Sequence, residues 1–224
     1  MKGKLIVIEG TDCSGKETQT RLLARRLLKD NVELFEYYYP HYSDPTGKII
    51  GGPYLGKEHI CEGYFEEGAA NVDPKVATLY YAADFKYSSP LINEKIESGI
   101  NVLLDRYMFS SLAHQGGKEK KLAKRKQTYR WMDNLFFNFL ELREPDLVIL
   151  LYMPYEYALQ LKTGRSEKSD QHEANEKHLR DAENAYLEVA KKYDFEIVNC
   201  VKDNKIKTVE EIHEEVYSLI ANMK

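Results

Sequence analysis

Positions 10 to 18 of the chain read Gly10-Thr11-Asp12-Cys13-Ser14-Gly15-Lys16-Glu17-Thr18. Glycines at this spacing let successive backbone N–H groups turn inward around phosphate oxygens. A helix beginning behind the loop adds the partial positive charge of its N-terminus, and Lys16 can follow the β- and γ-phosphates as a point charge. The expected chemistry is the binding of a nucleoside triphosphate on a phosphate-binding loop. The residue after the lysine, usually a hydroxyl ligand of Mg²⁺ in such loops, is Glu17. Thr18 supplies a hydroxyl next door, but about 100° further round a helix. Glu17 can therefore be a metal ligand or a charge that favours the helix N-terminus. The second reading is preferred, since a carboxylate beside a polyphosphate is repelled unless a metal lies between them.

A second set of polar residues lies far along the chain. Asp105-Arg106-Tyr107 is followed by Ser110, Ser111, His114 and Gln115, and 162–168 reads Lys162-Thr163-Gly164-Arg165-Ser166-Glu167-Lys168. Alone, an Asp-Arg pair can be a structural ion pair, and a basic glycine-containing loop is usually solvated surface. Opposite a phosphate loop, an arginine is better explained as a bidentate grip on a second phosphate. The basic loop falls where a transferring phosphoryl group needs charge neutralisation. Two sets of cations facing one phosphate loop imply two phosphorylated ligands, a donor and an acceptor.

The elements that must hold these groups follow from hydropathy. Short apolar runs at 5–9, 34–39, 102–105, 147–152 and 196–199 alternate with helical patterns at 18–28, 74–86, 90–97, 118–142, 173–192 and 209–220. Nearly continuous apolar strands separated by helices predict an α/β chain with a parallel sheet covered on both faces. In the first helix Leu22, Leu23, Leu27 and Leu28 are expected on one buried stripe. Active sites in such sheets gather at the carboxyl ends of the strands, where the phosphate loop, Asp105-Arg106 and the tract Tyr39-Pro40-His41-Tyr42 all fall.

Bulk properties bound the remainder. The 224 residues fit one α/β domain, and a net charge of -4 with 30% charged residues offers no global field for nucleic acid or an anionic membrane. Three scattered cysteines without a CxxC argue against a disulfide framework or a zinc site. No run is long enough to span a bilayer, and the expected setting is a reduced cytoplasm.

In these motifs the sequence resembles the thymidylate kinases, which transfer the γ-phosphate of ATP to dTMP. The likeness runs in order from Leu5 to about Lys192 through Ile8-Glu9-Gly10-Thr11-Asp12, the phosphate loop, Tyr39-Pro40 and Pro45-Thr46-Gly47-Lys48. It continues through Leu79-Tyr80-Tyr81-Ala82-Ala83-Asp84, Asp105-Arg106-Tyr107, Ser110, His114-Gln115-Gly116 and Pro145-Asp146-Leu147-Val148. The resemblance implies a three-layer P-loop NTPase sandwich with a five-stranded parallel sheet and a small lid at about 162–173. It implies ATP as donor, Mg²⁺ held through Thr18 and Asp105, small-molecule nucleotide substrates and a homodimer. By the same carry-over, Asp12 accepts the deoxyribose 3′-hydroxyl, Arg106 grips the acceptor monophosphate, and Asp105 organises metal and arginine. Tyr81 stacks on the base, Ser111 and Gln115 lie near the base edge, and His114 replaces a tyrosine on the sugar side, while Tyr39 and Tyr42 belong to the acceptor pocket. Arg165 is the lid arginine, since Cys13 stands where some relatives carry a loop arginine.

Two departures bear on the base. Phe85 and His41 stand where relatives usually have arginines, the first of them a donor to a thymine carbonyl. Weaker thymine binding, or preference for another pyrimidine deoxynucleotide, stays open on these residues. So do a deoxynucleoside kinase and a nucleotide-binding relative with reduced catalysis. Among the remaining features, Lys162-Thr163-Gly164 lacks the SxxK partner of penicillin-recognising enzymes. His172 and His178 are six apart, on different helix faces, and are expected at the surface. The cationic run 118–126 is expected to be a solvated helix face, and Trp131, Phe136, Phe137 and Phe139 are expected in core or subunit interface. Segment 58–73 matches no motif.

Overall fold

In a computed structural model, residues 2–162 and 176–221 are described. Five parallel strands, β1 (Leu5–Gly10), β2 (Leu34–Tyr38), β3 (Asn101–Asp105), β4 (Leu147–Tyr152) and β5 (Glu196–Asn199), form one sheet in the order β2-β3-β1-β4-β5. β1 lies at the centre and is buried along its whole length, which is why it reads as an unbroken apolar run until Glu9. Ile8 pairs with Asp105 of β3 and with Ile149 of β4, so the phosphate loop and the Asp105-Arg106 pair leave the sheet side by side.

Helices cover both faces. One core layer sets β-strand residues against α1 (Lys16–Lys29) and α8 (Val209–Ala221). The other packs α3 (Pro74–Glu97), α4 (Met108–Gly116), α5 (Leu122–Asp133) and α7 (Glu176–Lys192) on the opposite face. This is the three-layer sandwich. Short α2 (Pro45–Ile49), α6 (Tyr155–Lys162) and a two-residue-stranded hairpin of β6 (Val201–Lys202) and β7 (Lys205–Ile206) complete it.

Several helix boundaries differ from the periodicity. The patterns at 74–86 and 90–97 are one continuous helix through Pro90. Proline removes the N–H that would bond the carbonyl of Lys86, and the Ser89 hydroxyl donates to that carbonyl instead, at 3.0 Å. The 118–142 pattern begins as α5 only at Leu122 and ends in a π-helical turn, Asn134–Phe139, which leaves Phe139 exposed and Phe136 buried. In α1 the buried face is Gln19, Thr20, Leu23, Ala24 and Leu27. Leu28 is 53% exposed, because it lies about 100° round the helix from Leu27.

Segment 58–73 has a structural job. Ala69 and Val72 are buried against Ile50, Tyr54 and Leu55 in a third, small core. Lys118 Nζ donates to the carbonyls of Ala69 (3.0 Å) and Val72 (2.9 Å) and so pins the segment to the end of α4. Burial draws the Lys118 pKa down to about 8. The expectation of a uniformly solvated run is thus corrected at Lys118, and at Arg125, which pairs with Glu188 at 3.3 Å.

Candidate active site

The phosphate loop forms because β1 delivers the chain to Gly10 where no side chain fits. A Cβ there would lie 2.8 Å from Lys16 Cγ and 3.0 Å from the Leu151 carbonyl. Cys13 (φ 56°) and Gly15 (φ 79°) then take left-handed conformations that curl the loop back onto α1. Thr11 fastens it to the end of β4: its hydroxyl donates to Met153 O at 2.8 Å and accepts from Met153 N at 3.0 Å. Ser14 Oγ is buried without a partner among the described residues. Lys16 opens α1, and its pKa is lowered to about 8 by burial, then by the charge of Arg106, against the opposing pull of Asp105, Asp12 and Glu9.

Arg106 is the second cation. It leaves β3 in a left-handed conformation (φ 68°). Its Nη1 donates to Ser110 Oγ at 3.2 Å and Tyr186 Oη at 3.0 Å, and Nη2 lies 3.6 Å from Asp12 Oδ1. Behind it, fully buried Glu9 accepts from Tyr107 N (2.9 Å), Ser110 N (3.1 Å), Ser110 Oγ (2.7 Å) and Tyr186 Oη (3.2 Å). A carboxylate at the N-terminus of α4 compensates the exposed N–H groups and dipole of that helix. Burial raises the Glu9 pKa, with Arg106 pulling against it. For Arg106, burial opposes the charge, but Tyr186, Asp12, Glu9 and Asp105 outweigh it and hold the guanidinium protonated.

These groups open onto a cleft of about 930 Å³, at the upper end of the usual size for ligand sites. Asp12, Cys13, Gly15, Lys16, Glu17 and Thr18 line it together with Asp105 and Arg106. Tyr39, Tyr42, Tyr81, Phe85, Ser111, His114 and Gln115 line it as well. Gly10, Thr11 and Ser14 are in the loop behind that wall, with Thr11 on a smaller adjoining pocket. Glu17 is exposed in the first turn of α1, as suits a helix-terminal charge. Arg165 lies outside the described residues, as does the lid segment beyond Lys162.

Among the residues expected to take the acceptor, several depart from simple expectation. Phe85 is buried in an aromatic cluster, edge-on to Tyr39 (4.9 Å between centroids), Tyr107 (5.5 Å) and Phe136 (5.8 Å). It forms floor, with no charge to replace. His41 stacks on Tyr37 at 4.9 Å, with Nδ1 3.2 Å from Asp44, and is not among the residues lining the cleft. Ser111 Oγ and both amide atoms of Gln115 are buried without partners among the described residues, an arrangement that costs ~1–3 kcal/mol per unmet group unless a ligand meets them. His178, expected at the surface, is buried: its Nε2 is 3.2 Å from His114 Nδ1 across α4 and α7. His172 lies outside the described residues.

Glu9 and Tyr186 are the two positions around Arg106 to which the sequence reading gave no role of their own. A lone carboxylate ending an otherwise apolar central strand was the signal available for Glu9. Tyr186 had none, being 80 residues from Arg106 and one tyrosine in an amphipathic helix.

Comparison with known proteins agrees with this geometry. A family profile described as thymidylate kinase matches residues 8–216. A probable thymidylate kinase of Thermococcus gammatolerans is 33% identical over 222 residues, covering 97% of this chain and 96% of the relative. The probable thymidylate kinase of Methanocaldococcus jannaschii is 32% identical, again with 97% and 96% covered. The thymidylate kinase structure from Candida albicans shares the fold, with a TM-score of 0.75 at 24% identity over 99% of this chain and 92% of that one. A loop shaped for one polyphosphate, a buttressed arginine beyond it and a match running through nearly every element lead to one conclusion: the chain belongs to the thymidylate kinase family.

Proposed function

We propose that this chain transfers the γ-phosphoryl group of ATP to dTMP, releasing ADP and dTDP, and that the residues above divide the work between the two nucleotides. The observation that carries the assignment is Arg106, a second cation in the same cleft as Lys16, delivered from a different strand end and held there by Ser110 and Tyr186. A monophosphate acceptor is already an anion at neutral pH and needs positioning and charge neutralisation. A nucleoside acceptor would need a general base at its hydroxyl instead.

In this reading the loop from Gly10 to Lys16 cradles the donor phosphates, and Arg106 holds the acceptor phosphate in line with them. Asp12, 3.6 Å from Arg106, takes the sugar hydroxyl. Tyr81 flanks the base, and Ser111 and Gln115 meet its edge. An acceptor phosphate oxygen attacks the γ-phosphorus as the bond to the β–γ bridging oxygen breaks. Such transfer is mostly positioning and electrostatics. Arg165 is assigned the role of lid cation from its sequence alone.

The donor set suits Mg²⁺. The carboxylate of Asp105 and the hydroxyl of Thr18 are hard oxygen ligands lining the same cleft, and Mg²⁺ takes its remaining ligands from phosphates and water. When bound, the ion neutralises charge on the phosphate oxygens. A homodimer is proposed through α3, whose outer face presents Val76, Leu79, Tyr87 and Leu91 to solvent along one stripe. A cytoplasmic setting accompanies it, since none of the three cysteines is in a disulfide. No helix among the described residues is long and apolar enough to cross a membrane.

Coupled measurement of ADP with dTMP, thymidine or no acceptor tests the assignment. Turnover with dTMP alone is expected, and turnover with thymidine but not dTMP would overturn it.

A further inference from the structure

In the cleft wall, three buried polar atoms have no hydrogen-bond partner among the described residues. Gln115 is fully buried with both Oε1 and Nε2 unpartnered, and Ser111, four residues earlier on α4, leaves Oγ unpartnered. The i, i+4 spacing puts the two on one helix face, and both line the cleft with Tyr81 and Phe85. Their burial makes sense as a slot kept for a planar ligand edge that offers a donor and an acceptor together.

Both groups are reversible. Turning a glutamine amide by 180° about its last torsion exchanges a carbonyl acceptor for an NH₂ donor, and a hydroxyl rotates to donate or accept. A hydrogen bond to the protein would fix the amide one way, and none is made by the described residues. Phe85, enclosed by Tyr39, Tyr107 and Phe136, brings no directional group to break the tie. A charged donor at that position would favour a carbonyl on the base over an amino group. An aromatic ring does not.

We infer that Gln115 reads the N3 and C4 edge of a pyrimidine in either amide orientation, so that the chain phosphorylates 4-amino as well as 4-oxo pyrimidine deoxynucleoside monophosphates. A uracil or thymine edge presents N3–H and a 4-oxo group, which meet the amide oxygen and NH₂. A cytosine edge presents N3 as acceptor and a 4-amino donor, which meet the same atoms reversed. The transfer step is unchanged: the acceptor phosphate oxygen gains the γ-phosphoryl group, and ADP leaves with the bridging oxygen. The inference rests on the thymidylate kinase reading of the site, and it widens the acceptor class.

The test compares kcat/KM for dTMP, dUMP and dCMP with ATP and Mg²⁺, followed by ADP release and product chromatography. dUMP and dCMP differ only along the N3–C4 edge, so their values are expected within tenfold of each other. A site with fixed donors and acceptors rejects the mismatched partner by ~10⁴–10⁵. A dCMP value more than a hundredfold below that of dUMP therefore overturns the inference. Absence of turnover with dTMP itself overturns the parent assignment instead.

Gln115→Met gives a second arm. It is expected to lower dUMP and dCMP turnover together, tenfold or more, with their ratio changed less than threefold. The melting temperature of the unliganded variant should be equal or higher, because an unpaired buried amide is removed at similar volume. Loss of dUMP turnover alone would mean a fixed amide, and loss of neither would mean that Gln115 does not read the base. Either result overturns the inference.

Discussion

Tyr186 Oη lies 3.0 Å from Arg106 Nη1 and 3.2 Å from the Glu9 carboxylate, so one phenol joins the acceptor-side cation to the strand that feeds the phosphate loop. Ser110 closes the same circuit, bonding to both Arg106 and Glu9. The guanidinium is thereby held before any ligand arrives, which lowers the ordering cost of gripping a phosphate.

Tyr186→Phe removes the hydroxyl and keeps the ring. A hydrogen bond to a charged group contributes ~1.5–3 kcal/mol, and Ser110 remains to hold the arginine. The KM for dTMP is expected to rise about tenfold, with kcat and the KM for ATP nearly unchanged. Steady-state kinetics varying each substrate in turn would check this. An equal rise in both KM values would place the tyrosine's effect on the whole loop.

The two arginines should separate kinetically. Arg106→Ala is expected chiefly to raise the dTMP KM, and Arg165→Ala chiefly to lower kcat, while Lys16→Ala abolishes transfer. A reversed pattern would exchange the roles assigned to the strand-end and lid cations.

Lys16 sets a pH limit on the free protein. Its pKa is drawn down to about 8 by burial and Arg106, and only its protonated form attracts phosphate. The ammonium dominates below pH 8 and is lost as pH rises through it. Log kcat/KM for ATP, which reports the free enzyme, should be level near pH 7 and fall about tenfold per unit well above pH 8. Bound phosphates favour the ammonium, so kcat should remain level to higher pH. A flat kcat/KM profile from pH 7 to 10 would remove this account.

Lys118 should matter for stability. Replacement by alanine removes the lysine's hydrogen bonds to the carbonyls of Ala69 and Val72, the first of which still accepts from the Tyr54 hydroxyl, a loss of ~1–3 kcal/mol that should appear as a lower chemical-denaturation midpoint. Protease cleavage should appear first within 58–73. An unchanged midpoint would show that the small core around Tyr54 holds that segment alone.

The α3 face gives a test of assembly. Tyr87→Glu with Leu91→Glu places like charges on the exposed stripe. A dimeric parent and a monomeric double variant are expected by sedimentation, and a monomeric parent would remove the dimer proposal.

What could be read beforehand followed contact range. The phosphate loop is a local object, with its strand, glycines, lysine and helix inside about twenty residues, and it was fully legible. The strand ends were legible because the three inner strands β3, β1 and β4 carry nearly continuous apolar runs. The edge strands β2 and β5 include Glu36, Glu196 and Asn199 and are more exposed than strands covered on both faces. The helices misjudged were those where a side chain repairs a local fault, as Ser89 does for Pro90, or where a π-helical turn shifts the period, as at Asn134–Phe139. The buttress behind Arg106 joins residues 98 to 177 positions apart, and no periodicity records that. Likewise the burial of His178 and Phe85 depends on which helices meet, a matter of packing and not of local pattern.

Glu9 fixes the first turn of α4 through Ser110, and Gln115 stands five residues further along the same helix. At 1.5 Å per residue that is about 7.5 Å of rigid rod. The helix is thus a gauge bolted to the sheet at its phosphate end. On the reading proposed above, a substrate must match it in length, with phosphate at one mark and base edge at the other, before chemistry can begin. On that reading, change at the far mark alters which base is welcome and leaves the calibration at the near mark untouched.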